Sequence, residues 1–140
     1  MDYEDYREKF FTRPAPEQRY EFRGLHGTTL YFEEYEAAVT FYSRVFGEPA
    51  YVEGESTRGW QLGNTWLTLL RGERGNPQNM EMNIVMQTPG EADRLQAAFI
   101  DAGGIGEAPS DELMYEPVRF CSVRDPFGTH ILIICPLDRE

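Results

Sequence analysis

Positive charge, cysteine and histidine are all scarce in this chain. Against 24 Asp and Glu stand 13 Lys and Arg, giving a formal net charge of −11 and a sequence pI near 4.6. Such a surface repels nucleic-acid phosphate and anionic lipid, and favours cationic partners or simple solubility. Cysteine occurs twice, as Cys121 and Cys135. Two thiols so far apart in sequence do not make a metal cluster, and in a reducing compartment both read as small buried hydrophobes. As a catalytic thiol Cys121 would need an activating base, and the chain has only His26 and His130 to offer. No apolar run reaches membrane-spanning length, and the N-terminus lacks the charged, apolar, small-residue order of a signal peptide. The expectation is a cytoplasmic protein without a membrane or nucleic-acid partner.

What remains is enough for one domain, since 140 residues with 41% hydrophobic content can bury an ordinary core. Residues 1–24 stand apart as an N-terminal arm. MDYEDYREKFF suits a short helix, and RPAPEQRYEFRG breaks it at Pro14 and Pro16. The arm's aromatic residues, Tyr3, Tyr6, Phe10, Phe11, Tyr20 and Phe22, need a surface to cover them, and packing across a dimer partner is one expectation.

The domain is organised around Leu25–Gly47, LHGTTLYFEEYEAAVTFYSRVFG. In its first part Leu30 and Phe32 alternate with Thr29 and Tyr31, the period-2 sign of a strand with two different faces. Ala38, Phe41, Tyr42 and Val45 then fall at i, i+3, i+4 and i+7, one helical stripe closed by Gly47. The plan returns from Met80 to Gly103. There Met82, Ile84 and Met86 alternate with Glu81, Asn83 and Val85, and Leu95, Ala98, Phe99 and Ala102 repeat the helical offsets. Thr88, Pro89 and Glu91 read as N-cap, first helical residue and capping-box partner. Two such units roughly fifty residues apart point to a duplicated module.

After the first helix, YVEGESTRGWQL and TWLTLLRG read as strands joined by a Gly63–Asn64 turn of the II′ kind. RGERGNPQN links the units. After the second helix, GGIGEAPSDELMYEP is a loop or irregular strand, and PVRFCSV and THILIIC form a hairpin turning on Asp125–Gly128. The single domain therefore covers 25–137, with modules at about 25–72 and 80–137.

In this order these residues resemble the vicinal oxygen chelate superfamily, which includes glyoxalases, extradiol dioxygenases, fosfomycin-resistance enzymes and bleomycin-resistance binding proteins. The resemblance spans Leu25 to Cys135. It is carried by Phe41-Tyr42 with Phe46-Gly47, by LGNTWLTLL, by TPGEADRL with Ala102-Gly103, and by Asp125-Pro126-Phe127-Gly128 before the last strand. It implies an α+β fold of two tandem βαβββ modules whose strands form a curled mixed sheet around a shared cavity, and commonly a homodimer.

In the metal-dependent members the ligands come from the first strand of each unit and from the last strands. The resemblance puts those positions on Gly27, Glu81 and Leu132, with Thr68 near where some members carry a carboxylate. Of these Glu81 alone suits a metal, and His130, two residues before Leu132, joins it on one face. Since Lewis-acid chemistry usually needs about three protein ligands and an open position, the expectation is no metal and no other cofactor, a divalent metal on an atypical ligand set being the alternative.

By alternation, the cavity wall is expected to hold Tyr31, Trp66 and Thr68 with Gln61 opposite, then Glu81 and Asn83. Placing Arg124 opposite Thr129 across the last turn adds Arg119, Cys121, Val123, His130 and Leu132. The candidate ligand-binding residues are thus Tyr31, Trp66, Thr68, Glu81, Asn83, Arg119 and His130, an aromatic wall with a few polar groups. A pairing of Glu81 with Arg119 would instead satisfy both charges and leave no site. Two functional readings stay open. One is a metal-free protein that binds or sequesters an aromatic or cationic small molecule, stacked on Trp66 and Tyr31 and oriented by Asn83 with Glu81 as counter-charge. The other is a lyase, isomerase or dioxygenase, with a metal set including Glu81 and His130 or with either as a general base. A closed cavity and a purely interacting module is a third.

Overall fold

A computed structural model describes residues 1–137. After helix α1 (Tyr3–Phe10) come two units built alike. The first is β1 (Gly27–Phe32), α2 (Tyr35–Phe46), β2 (Tyr51–Glu53), β3 (Thr57–Leu62) and β4 (Thr65–Arg71). The second is β5 (Glu81–Val85), α3 (Pro89–Asp101), β6 (Ser110–Leu113), β7 (Pro117–Arg124) and β8 (His130–Pro136). Each forms its own four-stranded mixed sheet, in the orders β1-β4-β3-β2 and β5-β8-β7-β6. The two orders are one pattern, the first strand of each unit pairing parallel with the last. The duplicated βαβββ plan is therefore present, as two sheets that do not close into a barrel.

Local chemistry explains the helices. On α2, Tyr35, Ala38, Phe41 and Tyr42 are buried, and Gly47 ends the helix at φ 92°, a conformation that costs a residue with a Cβ. At the start of α3 the Thr88 hydroxyl accepts from the Glu91 backbone N–H at 3.1 Å with Pro89 just inside the helix. The expected return bond from the Glu91 side chain is absent, because that carboxylate pairs with Arg94 instead.

Every sheet has a helix face and an opposite, more open face, although Val118 and Leu132 on that face of the second sheet are buried. In the first, Leu30, Phe32, Leu67 and Leu69 are fully buried against α2, so Thr29, Tyr31, Trp66 and Thr68 point the other way. Gly63 alone has positive φ in its turn, as a II′ turn requires, and Gln61 pairs with Trp66 as expected.

The last hairpin departs from expectation. Arg124 pairs with His130, not Thr129, because the connection is five residues long. Asp125 consumes the extra residue: its Oδ1 accepts the N–H groups of Phe127 at 2.9 Å and Thr129 at 2.8 Å. A slip of one residue reverses every side chain on the strand. Arg119, Cys121 and Val123 accordingly lie on the helix face, while His130 and Leu132 remain on the open face.

One core joins the units. Phe99 of α3 packs on Phe41, Tyr42 and Phe46 of α2, with ring centroids 5.9, 6.2 and 5.6 Å apart. Such pairs each add about 0.5–1.5 kcal/mol beyond area burial. Beside them the Tyr42 hydroxyl donates to Asp125 Oδ2 at 2.8 Å, linking α2 to the β7–β8 loop.

Candidate functional site

Among the described residues no strand of one sheet is hydrogen-bonded to a strand of the other, and a cleft of about 660 Å³ is lined by residues of both units along the seam between them. The β3–β4 turn supplies Leu62, Asn64 and Trp66; β5 and the residues after it supply Met82, Asn83, Ile84, Val85, Met86 and Gln87; Phe46 and Leu95 come from the two helices. Side chains of both faces contribute, since Trp66 and Asn83 are on the open face while Met82 and Ile84 are on the helix face. The wall is apolar and aromatic, with three side-chain amides and no charged group. It suits a flat apolar ligand that carries a few hydrogen-bonding atoms.

The structure brings together only part of the expected set. Trp66 and Asn83 share the cleft. Tyr31 lies on the open face of β1, in a second depression with Arg74, Asn76 and Met80. Thr68 is half-buried on the open face of β4. Glu81 and His130 are register partners on β5 and β8, both exposed on the open face.

Arg119 is elsewhere, as a correction to the expected wall. On the helix face its guanidinium holds Asp111 at 2.8 Å and Asp93 at 2.9 Å. Those carboxylates raise its pKa above the usual arginine value, the hydrogen bond it donates to Asp111 being the larger cause. Its partners are these two aspartates, so the pairing with Glu81 weighed above is not the one formed. The neighbouring Cys121 is buried with its Sγ 3.5 Å from Asp93. Burial pushes that thiol up to about 11, so it is not a nucleophile in this setting.

A divalent metal, which relatives of this fold imply, does not fit the residues present. Gly27 and Leu132 carry no donor, and among the described residues no three His, Cys, Asp or Glu side chains converge. Glu81 and His130 make a set of two.

Sequence reasoning missed two things. The Tyr42–Asp125 link had a signal, an aspartate opening the DPFG turn and a tyrosine on a buried stripe. Asp125 is 2% exposed, and burial raises its carboxyl above the ordinary value near 3.8 despite three hydrogen bonds to it. The seam residues Phe46, Met86 and Leu95 had only a signal for burial.

This architecture is the one seen in solved structures of glyoxalase, bleomycin-resistance and dioxygenase-family proteins. A glyoxalase/bleomycin resistance protein from Albidiferax ferrireducens superposes with a TM-score of 0.68 at 17% identity, covering 79% of this chain and 98% of that one. A glyoxalase/bleomycin resistance protein/dioxygenase family enzyme from Burkholderia phytofirmans gives 0.63 at 18%, covering 80% and 98%. Lactoylglutathione lyase from Agrobacterium tumefaciens gives 0.64 at 18%, covering 82% and 95%. Identities this low establish the fold and carry no specific ligand or reaction. No protein-family model and no curated protein sequence matches the chain. Among the described residues no helix is long and apolar enough to cross a membrane.

Proposed function

We propose that this protein belongs to the vicinal oxygen chelate superfamily and is a metal-free binder of an aromatic small molecule, akin in role to the bleomycin-resistance branch. The observation that carries the reading is the seam cleft, which joins Trp66 to Asn83 within an apolar wall. Its volume of about 660 Å³ is in the range of small-molecule sites, about 300–1,000 Å³. An aromatic ring enters against the half-buried Trp66 indole, the Asn83 amide orients it by a hydrogen bond, and apolar side chains exclude water. A cationic substituent reaches Glu81, two residues before Asn83 on the same face of β5.

Trp60, the other tryptophan, is buried in the core with its Nε1–H donating to the Gly47 carbonyl at 2.8 Å. Fluorescence changes on ligand addition therefore report on Trp66. The test is titration with ethidium, an aromatic cation, and with anilinonaphthalene sulfonate, an aromatic anion. Saturable quenching by either, together with a rise in the dye's own fluorescence anisotropy that is lost in Trp66→Ala while thermal stability is retained, supports the reading. An anisotropy rise that persists in Trp66→Ala places the dye elsewhere and overturns it.

The alternative, a metal-dependent lyase, isomerase or dioxygenase, rests on Glu81 and His130 facing each other across β5 and β8. Metal analysis after incubation with Zn²⁺, Mn²⁺, Fe²⁺ and Ni²⁺ and desalting decides it. About one retained ion per chain, lost in Glu81→Ala and in His130→Ala, would displace the metal-free reading.

A further inference from the structure

The helix face of the first sheet carries a pocket of its own, apart from the seam. About 400 Å³ in volume, it is lined by Tyr35, Val39 and Thr40 of α2, Arg58 of β3, Arg71 of β4 and Glu55 of the turn between β2 and β3. Alternation puts both arginines here, because Arg58 is the register partner of Leu69 and Arg71 that of Phe32, two residues fully buried against α2.

Two features of this pocket are not accounted for by the fold. Tyr35 is 2% exposed, and its hydroxyl is, among the described residues, the single buried side-chain polar atom without a hydrogen-bond partner. Native chains rarely leave such a group unpaired, because nothing then offsets its loss of water. The second feature is Arg58. Its Nη1 donates to the carbonyls of Gly54 and Thr57, both at 2.8 Å, but its Nε and Nη2 have no partner and no carboxylate among the described residues pairs with it. Arg71 is different. It is paired with Glu36, donates to the Glu55 carbonyl at 3.2 Å, and lies over the Tyr35 ring with its guanidinium carbon 4.6 Å from the centroid. Burial raises the Tyr35 pKa and the charges of Arg58 and Arg71 oppose that rise, so both guanidiniums act on the orphaned hydroxyl.

We propose that this pocket binds the oxyanion of a small molecule, a carboxylate or a phosphate monoester, between the Tyr35 hydroxyl and the unused Nε–Nη2 edge of Arg58. That edge presents two parallel N–H donors, the fork that matches two oxygens of either group, and the hydroxyl donates to one of them. The Tyr35 ring and Val39 take the ligand's carbon skeleton. In a chain of net charge −11 the surrounding field repels an anion, and the two arginines supply the local attraction that admits it. Entry needs Arg71 to swing off the Tyr35 ring. Its side chain is 43% exposed and its tie to Glu36 is a surface ion pair, an interaction of small net strength. The pocket is independent of the cleft at Trp66, which lies on the other face of the same sheet.

Isothermal titration calorimetry of the full chain, in Tris at low ionic strength, tests the proposal with glycerol 2-phosphate and with butyrate. Neither probe has a ring to occupy the seam cleft, and the pair distinguishes phosphate from carboxylate. The expected result is saturable binding of at least one of them, near one per chain. Arg58→Gln should weaken it about tenfold or more, and Tyr35→Phe about fivefold or more. With no probe added, Tyr35→Phe should leave the unfolding midpoint unchanged or raised, since the hydroxyl it removes makes no bond in the fold. The same variant decides the matter should Arg58→Gln fail to fold.

No saturable binding of either probe, an affinity unchanged in Tyr35→Phe or in a folded Arg58→Gln, or a lowered midpoint for Tyr35→Phe would overturn the proposal. The last would show that the hydroxyl has a structural partner. Failure of the cleft as a ligand site is read separately, by dye anisotropy.

Discussion

Removing the Tyr42 hydroxyl should destabilise the protein in a manner that depends on pH. Asp125 is buried, and its carboxylate accepts from Tyr42 at 2.8 Å, Phe127 at 2.9 Å and Thr129 at 2.8 Å. Burial is the dominant influence and raises the carboxyl above the ordinary 3.8, while the three donors pull it back. The Tyr42 phenol, itself raised by burial, stays protonated and donates throughout.

Because the folded pKa of Asp125 is raised, its contribution to stability is full below the unfolded value near 3.8 and is lost as pH climbs through the folded value. Tyr42→Phe keeps the ring and removes a donor that favours the ionised carboxylate. A hydrogen bond to a charged group contributes about 1.5–3 kcal/mol. For a chain of this size that corresponds to a fall in Tm of about 5–10 °C.

The assay is guanidinium unfolding of both proteins followed by circular dichroism, at pH 7.5 and again at pH 3.5. The difference should be largest at pH 7.5 and smaller at pH 3.5, where the carboxyl is protonated and gains less from the phenol. A loss below about 0.5 kcal/mol at pH 7.5 would show that the bond adds nothing net. An equal loss at both pH values would show that the hydroxyl acts through packing alone.

Two shorter predictions follow from backbone and thiol geometry. A Cβ on Gly27 would come within 1.9 Å of the Trp66 carbonyl oxygen, a backbone atom that cannot rotate away. Gly27→Ala should therefore cost more than about 3 kcal/mol by the same unfolding assay, and an unchanged midpoint would refute the close approach of β1 to β4. With Cys121 pushed up to about 11 and both thiols buried, Ellman's reagent at pH 8 should titrate neither in the native state and both in guanidinium; rapid native reaction would contradict the burial.

Much of the fold could be read from periodicity because the signal is local. Leu30 and Phe32 on a strand, and Ala38, Phe41 and Tyr42 on a helix, declare their buried side within a few residues, and the same pattern recurs from Met82 to Phe99. Pairing information is different in kind. The last hairpin was misregistered because Asp125 caps two backbone N–H groups and adds one residue to the turn, and that single residue carried Arg119 to the helix face. Trp66 and Asn83 were legible as open-face residues from alternation. That they share one cleft depends on how two sheets abut, and Tyr31, on the same face, falls in another depression. No pattern along one strand encodes that.

The placing of Phe99 bears on how such a chain arises. Its ring belongs by sequence to the second unit but sits among Phe41, Tyr42 and Phe46 of the first. Neither half therefore has a complete interior of its own. A gene encoding one half would yield a chain with an aromatic ring left in water, and two such chains meeting through their helices would shelter it. Fusion of two such halves would join end to end what their association had brought together, and would leave each half free to diverge. One half could keep a tryptophan at the seam and the other an asparagine, and a groove between equals would become one with two different walls.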